Sequence, residues 1–201
     1  MFKTICELIS EKLLSKTSLS KEEKTDYKYG LEIFFRLLVE VIILLILAHL
    51  FNIFWPVFAA AVTFVSLRSK AGGAHFPTYL QCMFFSVILF LGIGFLAVFL
   101  HPNNLFLIFW LLFTGITGFL LTYKYAPAAT KKIPIANQKH KIRAKKISLK
   151  IFICWMFIYC LLTILPPDFK LVIWGSSLGL FFESVSLHPL SFKIINLFWV
   201  K

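Results

Sequence analysis

The chain has 201 residues, of which 59% are hydrophobic, and its mean hydropathy is +0.84. A soluble domain of this length has no interior large enough to bury so much apolar surface, so the composition excludes an ordinary soluble protein and favours the lipid bilayer as solvent. The formal net charge of +12 would suggest nucleic acid in a soluble protein. In a membrane protein it indicates topogenic charge and contact with anionic lipid head groups, and no nucleic-acid partner is expected.

The chain opens with an amphipathic pattern. Apolar residues recur at helical spacing at Phe2, Ile5, Leu8, Ile9 and Leu13, with charged residues between them. The pattern predicts that the N-terminal segment, residues 1–28, contains a helix in the membrane interface, although a helix packed on its own protein fits equally well.

Continuous apolar runs follow, without the alternation of apolar and polar residues that a transmembrane β-barrel requires. They cover residues 31–51, 53–67, 77–100, 105–123, 151–165 and 171–187. The pattern predicts an all-α, polytopic membrane protein with about six transmembrane helices. The second run is short, so it could instead be re-entrant or form a hairpin with the first. The apolar tail after residue 189 is a candidate for a second interfacial segment.

Basic residues are distributed unequally between the two sides of this arrangement. The connections after the first, third and fifth runs hold one basic residue, Lys170. The other side holds Arg68, Lys70 and nine Lys or Arg residues in the polar segment 124–150. By the positive-inside rule, both termini, the 68–75 loop and the basic 124–150 loop are expected to be cytoplasmic.

Few acidic residues lie within the apolar runs. Glu32 and Arg36 are one helical turn apart and are expected to neutralise each other. Glu40 is expected to face protein, because charge in lipid is costly. Glu40 and Glu183 are candidates to orient the side chain of His75, although a structural role is the more common one for such buried acids. The four cysteines are Cys6, Cys82, Cys154 and Cys160. They show neither disulfide nor zinc spacing, so no metal or other cofactor is expected.

A basic, glycine-rich stretch between the second and third runs, residues 68–82, holds the best candidates for chemistry. A cysteine becomes a nucleophile when a nearby base or positive field stabilises its thiolate, and His75 can supply the base for Cys82. On one continuous helix these side chains would lie about 10 Å apart. Pro77 predicts that the third helix starts near it, which leaves His75 on a loop that Gly72 and Gly73 allow to bend back.

The residues of this stretch leave several interpretations open. A lone histidine at a membrane edge is more often a structural donor, and a lone cysteine in a span is more often a packing residue. The chain could therefore be a non-catalytic transporter or scaffold, or an acyltransferase that carries an acyl group on Cys82. For acyl chemistry, the candidate oxyanion donors are the backbone amides of Gly72 and Gly73 and the side chains of Gln81 and Arg68.

The motif Arg68, Ala71-Gly72-Gly73-Ala74-His75 and Cys82 resembles the core signature of the AgrB (accessory gene regulator B) family, bacterial membrane peptidases that process quorum-sensing propeptides. Segments 29–32, 125–135 and 180–189 resemble further parts of that family. The resemblance covers nearly the whole chain and implies one integral-membrane domain, residues 1–201. It departs from the family at Ala129, where an acidic residue is common.

The resemblance implies a cysteine endopeptidase of the bacterial cell membrane. Cys82 and His75 would be catalytic, and a Cys82 thioester would lead to a thiolactone or lactone. The implied partners are an AgrD-like autoinducer propeptide and a second copy of the chain in a homodimer. Lys131 and Lys132 correspond to a basic patch implied in substrate binding.

Overall fold

The computed structural model describes residues 21–128, 138–163 and 169–199, and these residues are almost entirely helical, with no β-strand among them. In chain order, the helices are α1 (Lys21–Leu50), α2 (Phe54–Ala71), α3 (Tyr79–Leu100), α4 (Asn104–Tyr125), α5 (Gln138–Leu162), α6 (Lys170–Ser186) and α7 (Pro189–Trp199). The all-α prediction is therefore confirmed for this part of the chain. The predicted N-terminal amphipathic helix, Ala129, Lys131 and Lys132 lie outside the described residues.

The chain divides into two compact units, Met1–Ile46 and Leu47–Lys201. Within the first unit, Arg36 donates a hydrogen bond to the Glu32 carboxylate one turn earlier, which confirms the ion pair expected from their spacing. The side chains of Ile33, Phe34 and Leu37 are exposed, and exposed apolar residues of this size suit a lipid-facing helix.

In the second unit, the core is built around α6. Most of α6 is buried, and it packs most extensively along α2. Two glycines permit this close approach: a Cβ at Gly175 would lie 2.5 Å from the Pro56 carbonyl oxygen, and one at Gly179 would lie 2.4 Å from that of Ala60. This is the small-xxx-small packing by which membrane helices bring their backbones together.

Polar side chains tie the helices of the second unit together. The hydroxyl groups of Thr63 and Ser176 are hydrogen-bonded across α2 and α6, and the Tyr159 hydroxyl of α5 lies 2.9 Å from Ser176 Oγ. Trp155 Nε1 of α5 donates to Ser66 Oγ of α2 at 2.8 Å. Buried hydroxyls that satisfy one another in this way avoid the cost of unpaired polar groups in an apolar interior.

The described residues support fewer spans than the six predicted. Three helical stretches, Gly30–Leu50, Tyr79–Leu100 and Asn104–Tyr125, are long and apolar enough to cross a bilayer. Together α6 and α7, which bend by 80° at their junction, would make a fourth. The count of six stays a prediction, because α2 carries Arg68 and Lys70 in its last turn and the first half of α5 is strongly basic.

One segment boundary differs from the sequence prediction and another agrees with it. Residues 138–150, expected in a polar loop, are helical and continue without a break into the apolar half of α5. Lysine is a good helix former, so the lysines in this stretch do not interrupt the helix. The third helix starts near Pro77, as predicted: its first residue is Tyr79, and Thr78 caps it.

Candidate active site

The site begins where α2 ends, at two glycines with backbone conformations that other residues rarely adopt. Gly72 has φ of +75° and Gly73 has φ of +137°. A Cβ at Gly73 would lie 2.6 Å from Ser186 Oγ and 2.7 Å from Arg68 Nη1. Both the conformation and the lack of space therefore require glycine, and the sharp turn directs the following residues across the end of α6.

Arg68, in the last turn of α2, joins this turn to α6. Its Nη1 donates to Glu183 Oε2 at 2.9 Å and to Ser186 Oγ at 3.3 Å, and its Nη2 donates to the Ala74 carbonyl oxygen. The Glu183 side chain is fully buried, while the Arg68 side chain keeps 18% of its surface. A planar guanidinium can serve three acceptors at once in this way, which an ammonium group cannot do with the same geometry.

Two backbone contacts hold the loop in place. The Ala74 N–H donates to the Ser186 carbonyl oxygen at 3.2 Å, and the Ala128 N–H donates to the Ala71 carbonyl oxygen at 2.7 Å. Gly72 and Ala128 form an isolated parallel bridge. The C-terminal ends of α2, α4 and α6 therefore meet around this loop, where the negative ends of three helix dipoles favour cationic groups.

His75 and Cys82 lie on either side of the start of α3. Thr78 Oγ1 accepts from the Gln81 N–H, and Gln81 Oε1 accepts from the Thr78 N–H at 3.3 Å, which makes a capping box. Cys82 is the fourth residue of α3 and is half-buried, and its N–H donates to the Thr78 carbonyl oxygen at 3.2 Å. The thiol is thus one turn into the helix, as the sequence predicted, and near the positive end of its dipole.

The residues that flank His75 are both anchored. Ala74 is bound by Arg68 and Ser186, as described above. The ring of Phe76 packs against that of Phe85 on α3, with 4.8 Å between centroids. Since Phe85 is three residues after Cys82, the two share a helix face, so the chain on the far side of His75 returns to the face that carries the thiol.

The surroundings of His75 keep its imidazole neutral. Burial, and secondarily the positive charge of Arg68, lowers the pKa of His75 from 6.5 to about 4. By surface area His75 is nevertheless exposed, so solvent moderates both the desolvation and the electrostatic part of this effect. At neutral pH the ring is in the form that can accept a proton.

The other predicted site residues are placed as follows. The Gly72 N–H donates to the Arg68 carbonyl oxygen at 3.0 Å, so its use as an oxyanion donor would require that bond to break. Gln81 uses its carbonyl oxygen in the cap, which leaves Nε2 as its donor. Among the described residues, no three His, Cys, Asp or Glu side chains cluster closely enough to hold a metal ion.

Ser186 is the site residue that the sequence did not single out, whereas Glu183 was a candidate to orient His75 beside its more common interpretation as structural. A signal for Ser186 was present: the last four residues of α6, from Glu183 to Ser186, include three with polar side chains. Polar residues grouped at the end of a buried helix indicate a partner nearby.

These features define a helical membrane protein in which a basic, glycine-hinged loop positions a histidine next to a helix that carries a cysteine in its first turn or just beyond. The family model described as accessory gene regulator B matches residues 6–187. This match covers most of the chain, and the protein belongs to the AgrB family.

Individual relatives agree with this assignment. The chain is 34% identical to an AgrB-like protein of Clostridium perfringens (strain 13 / Type A), over 82% of this chain and 78% of that protein. It is 32% identical to accessory gene regulator protein B of Staphylococcus intermedius, over 92% of both chains. It is 31% identical to the protein of that name in Staphylococcus aureus (strain Newman), over 88% of this chain and 90% of that protein. No solved structure matches the chain.

Proposed function

We propose that this protein is a membrane-embedded cysteine endopeptidase that removes the C-terminal tail of an autoinducer propeptide and cyclises what remains. Membership of the AgrB family supports a role in the accessory gene regulator system, in which quorum-sensing peptides are processed. The observation that carries the catalytic part is the fixed His75 loop: a neutral imidazole is held between two anchored neighbours, one of which packs beside Cys82 on α3.

In the first step, the Cys82 thiol attacks a backbone carbonyl carbon of the propeptide while His75 accepts the thiol proton. The tetrahedral intermediate collapses as His75 returns that proton to the amine of the leaving tail. The C–N bond breaks, and a thioester joins Cys82 to the truncated peptide. No oxidant, metal or other co-reactant is needed for this exchange.

In the second step, a thiol within the peptide attacks the thioester carbonyl, and Cys82 is released with its proton restored. A serine at that position would give a lactone instead. Ring closure is favoured by proximity, because the attacking group is tethered to its own ester. Amide-to-thioester conversion is uphill, so loss of the tail or tight binding of the acyl-enzyme must drive the reaction forward. Water must be excluded from the site, because it would hydrolyse the thioester.

The remaining assignments concern placement and partners. The site would lie at the cytoplasmic side of a multi-pass protein with both termini in the cytoplasm, because the basic residues concentrate there. The basic half of α5, which includes Lys139, Lys141 and Arg143, together with Lys131 and Lys132, would attract an acidic propeptide tail and anionic lipids. The active form would be a homodimer. The candidates to stabilise the oxyanion are the Arg68 side chain, the Gly73 backbone amide and Gln81 Nε2.

The test is co-expression with candidate propeptides, followed by mass measurement of tail release. Cys82→Ala and His75→Ala should each abolish release, whereas Cys154→Ala, which removes an exposed cysteine of α5, should not. A covalent adduct on Cys82 that hydroxylamine cleaves would support the thioester. Tail release that persists in both Cys82→Ala and His75→Ala would contradict the proposal and favour a transporter or scaffold.

A further inference from the structure

Glu183 and Ser186 form a buried anchor at the C-terminal end of α6. Ser186 Oγ donates to Glu183 Oε2 at 3.1 Å, and the same carboxylate oxygen accepts from Arg68 Nη1. The carboxylate is inaccessible to solvent, so it has no water to compensate its charge. The position of the carboxylate is therefore set by Arg68 and Ser186, and the carboxylate in turn holds these two side chains in place.

This anchor reaches the loop through the guanidinium of Arg68. One end of the group is bound to Glu183 and Ser186, and the other end donates to the carbonyl oxygen of Ala74, the residue before His75. A second link is direct, because the Ala74 N–H donates to the Ser186 carbonyl oxygen. The Ala74 N–H is thus bound to the anchor directly, and the Ala74 carbonyl oxygen is bound to it through Arg68.

The other carboxylate oxygen also bears on the loop. Glu183 Oε1 is buried and has no hydrogen-bond partner among the described residues. It would lie 3.3 Å from a Cβ at Gly73, so it faces the second glycine of the hinge. The carboxylate therefore contacts both the guanidinium of Arg68 and the backbone turn that leads to His75.

From this geometry we infer that Glu183 and Ser186 are positioning residues for the His75 base, acting through Arg68 and Ala74 to fix the loop against α3. The inference rests on the proposed cysteine peptidase and names what holds its base in place. Neither residue touches the substrate or the reacting atoms. Their removal should lower the rate of the chemical step while leaving propeptide affinity intact, since the loop is displaced but no binding contact is lost.

The experiment uses the full-length protein in membranes, in a background where Cys6, Cys154 and Cys160 are alanine. Two readouts are taken at pH 7: the kcat and KM of propeptide tail release, and the rate at which iodoacetamide alkylates Cys82. The alkylation needs no propeptide, so it reports on the His75–Cys82 pair independently of the proposed substrate. Hydrogen exchange of residues 72–76 reports directly on the loop.

Glu183→Gln removes the charge while keeping the size of the side chain. We expect it to lower kcat by about 10- to 100-fold with KM changed by less than about twofold, because a displaced base loses most of its contribution. Alkylation should fall toward the His75→Ala rate, and exchange of residues 72–76 should rise. Ser186→Ala should change all three in the same direction by a smaller factor.

Two further variants separate positioning from a general loss of structure. Thr114→Val removes a buried hydroxyl of α4 that has no partner among the described residues, and it should leave every readout unchanged. In an Arg68→Gln background, Glu183→Gln should add little further loss, because the proposed effect passes through the guanidinium. Additive losses would contradict transmission through Arg68.

The outcomes distinguish the inference from the function on which it rests. If His75→Ala changes neither alkylation nor tail release, the peptidase proposal fails and the inference falls with it. If His75→Ala lowers both but Glu183→Gln and Ser186→Ala do not, the peptidase stands and the positioning role is wrong. If Glu183→Gln does not accumulate in the membrane, the same readouts of Ser186→Ala alone test the positioning role.

Discussion

Arg68 and Glu183 are paired at 2.9 Å although 115 residues separate them in the chain. The pair joins the end of α2 to the end of α6, the two helices that form the most extensive contact in the second unit. Because a buried carboxylate without its partner is strongly destabilising, the pair makes the position of the glycine hinge depend on the packing of these helices. Loop geometry and helix packing are thus determined together.

Arg68→Lys tests whether the shape of the guanidinium matters or only its charge. A lysine ammonium keeps the charge near Glu183 but cannot also donate to the Ala74 carbonyl with the same geometry. We expect tail release to fall at least about tenfold and the free energy of unfolding to fall by about 1–3 kcal/mol, the cost of an unsatisfied buried group. Lys70→Gln, at an exposed position two residues away, is the control and should have little effect on stability.

Gly73→Ala should inactivate the protein. The residue has φ of +137°, and a new Cβ would contact Ser186 Oγ and Arg68 Nη1. The hinge would have to open, with a cost of about 1–3 kcal/mol for the strained backbone alone. Gly92→Ala is the matched control, because a Cβ there meets no atom within 4 Å and alanine favours the helix. Activity in Gly73→Ala equal to that in Gly92→Ala would show that the hinge is not needed.

The local sequence predicted much of the structure of residues 68–82. The contacts of these residues with distant parts of the chain could not be predicted from it. The break between α2 and α3 could be predicted because glycine and proline interrupt an apolar run. The start of α3 near Pro77 was predicted from the proline, and the Thr78–Gln81 capping box fixes it at Tyr79. The partner of Glu183 could not be predicted, since no local pattern connects residues that are 115 positions apart. The Gly175–Gly179 spacing was a readable signal for helix packing.

Gly179→Ala tests the contact between α2 and α6. A Cβ at this position would lie 2.4 Å from the Ala60 carbonyl oxygen, so the helices must separate. We expect a loss of about 1–3 kcal/mol in stability from the strained packing, measured as a lower midpoint of thermal unfolding in detergent. Because α6 also carries Glu183, exchange of residues 72–76 should increase as well. An unchanged midpoint would mean that the helices do not pack this closely in the membrane.

The pKa of His75 leads to a prediction about pH. Burial and the charge of Arg68 lower it from 6.5 to about 4. The unfolded chain therefore binds this proton more readily than the folded protein does. The contribution of His75 to stability is complete above about pH 6.5 and is lost as the pH falls from there through about 4. For catalysis, the neutral base should persist to about pH 5.

The measurement is the ratio of Cys82 alkylation rates in the wild type and in His75→Ala, taken from pH 4 to pH 8. Using the ratio removes those pH effects on the alkylation reaction that both proteins share. We expect the ratio to stay constant down to about pH 5 and then to approach one. A midpoint near 6.5, the ordinary value for histidine, would show that the loop does not hold the imidazole in the environment described.

The orientation of the protein can be tested at the basic half of α5. Residues 138–143 are exposed and include three Lys or Arg side chains, and such a cluster is retained on the cytoplasmic side of a membrane. We expect Lys141→Cys, in a background without the native cysteines, to react with a membrane-impermeant maleimide only after the cells are opened. Asn104→Cys, exposed at the start of α4, should react from outside in intact cells. Labelling of Lys141→Cys in intact cells would place the basic half of α5 on the external side. The Arg68 loop would then lie on that side as well, and an intracellular propeptide could not reach Cys82.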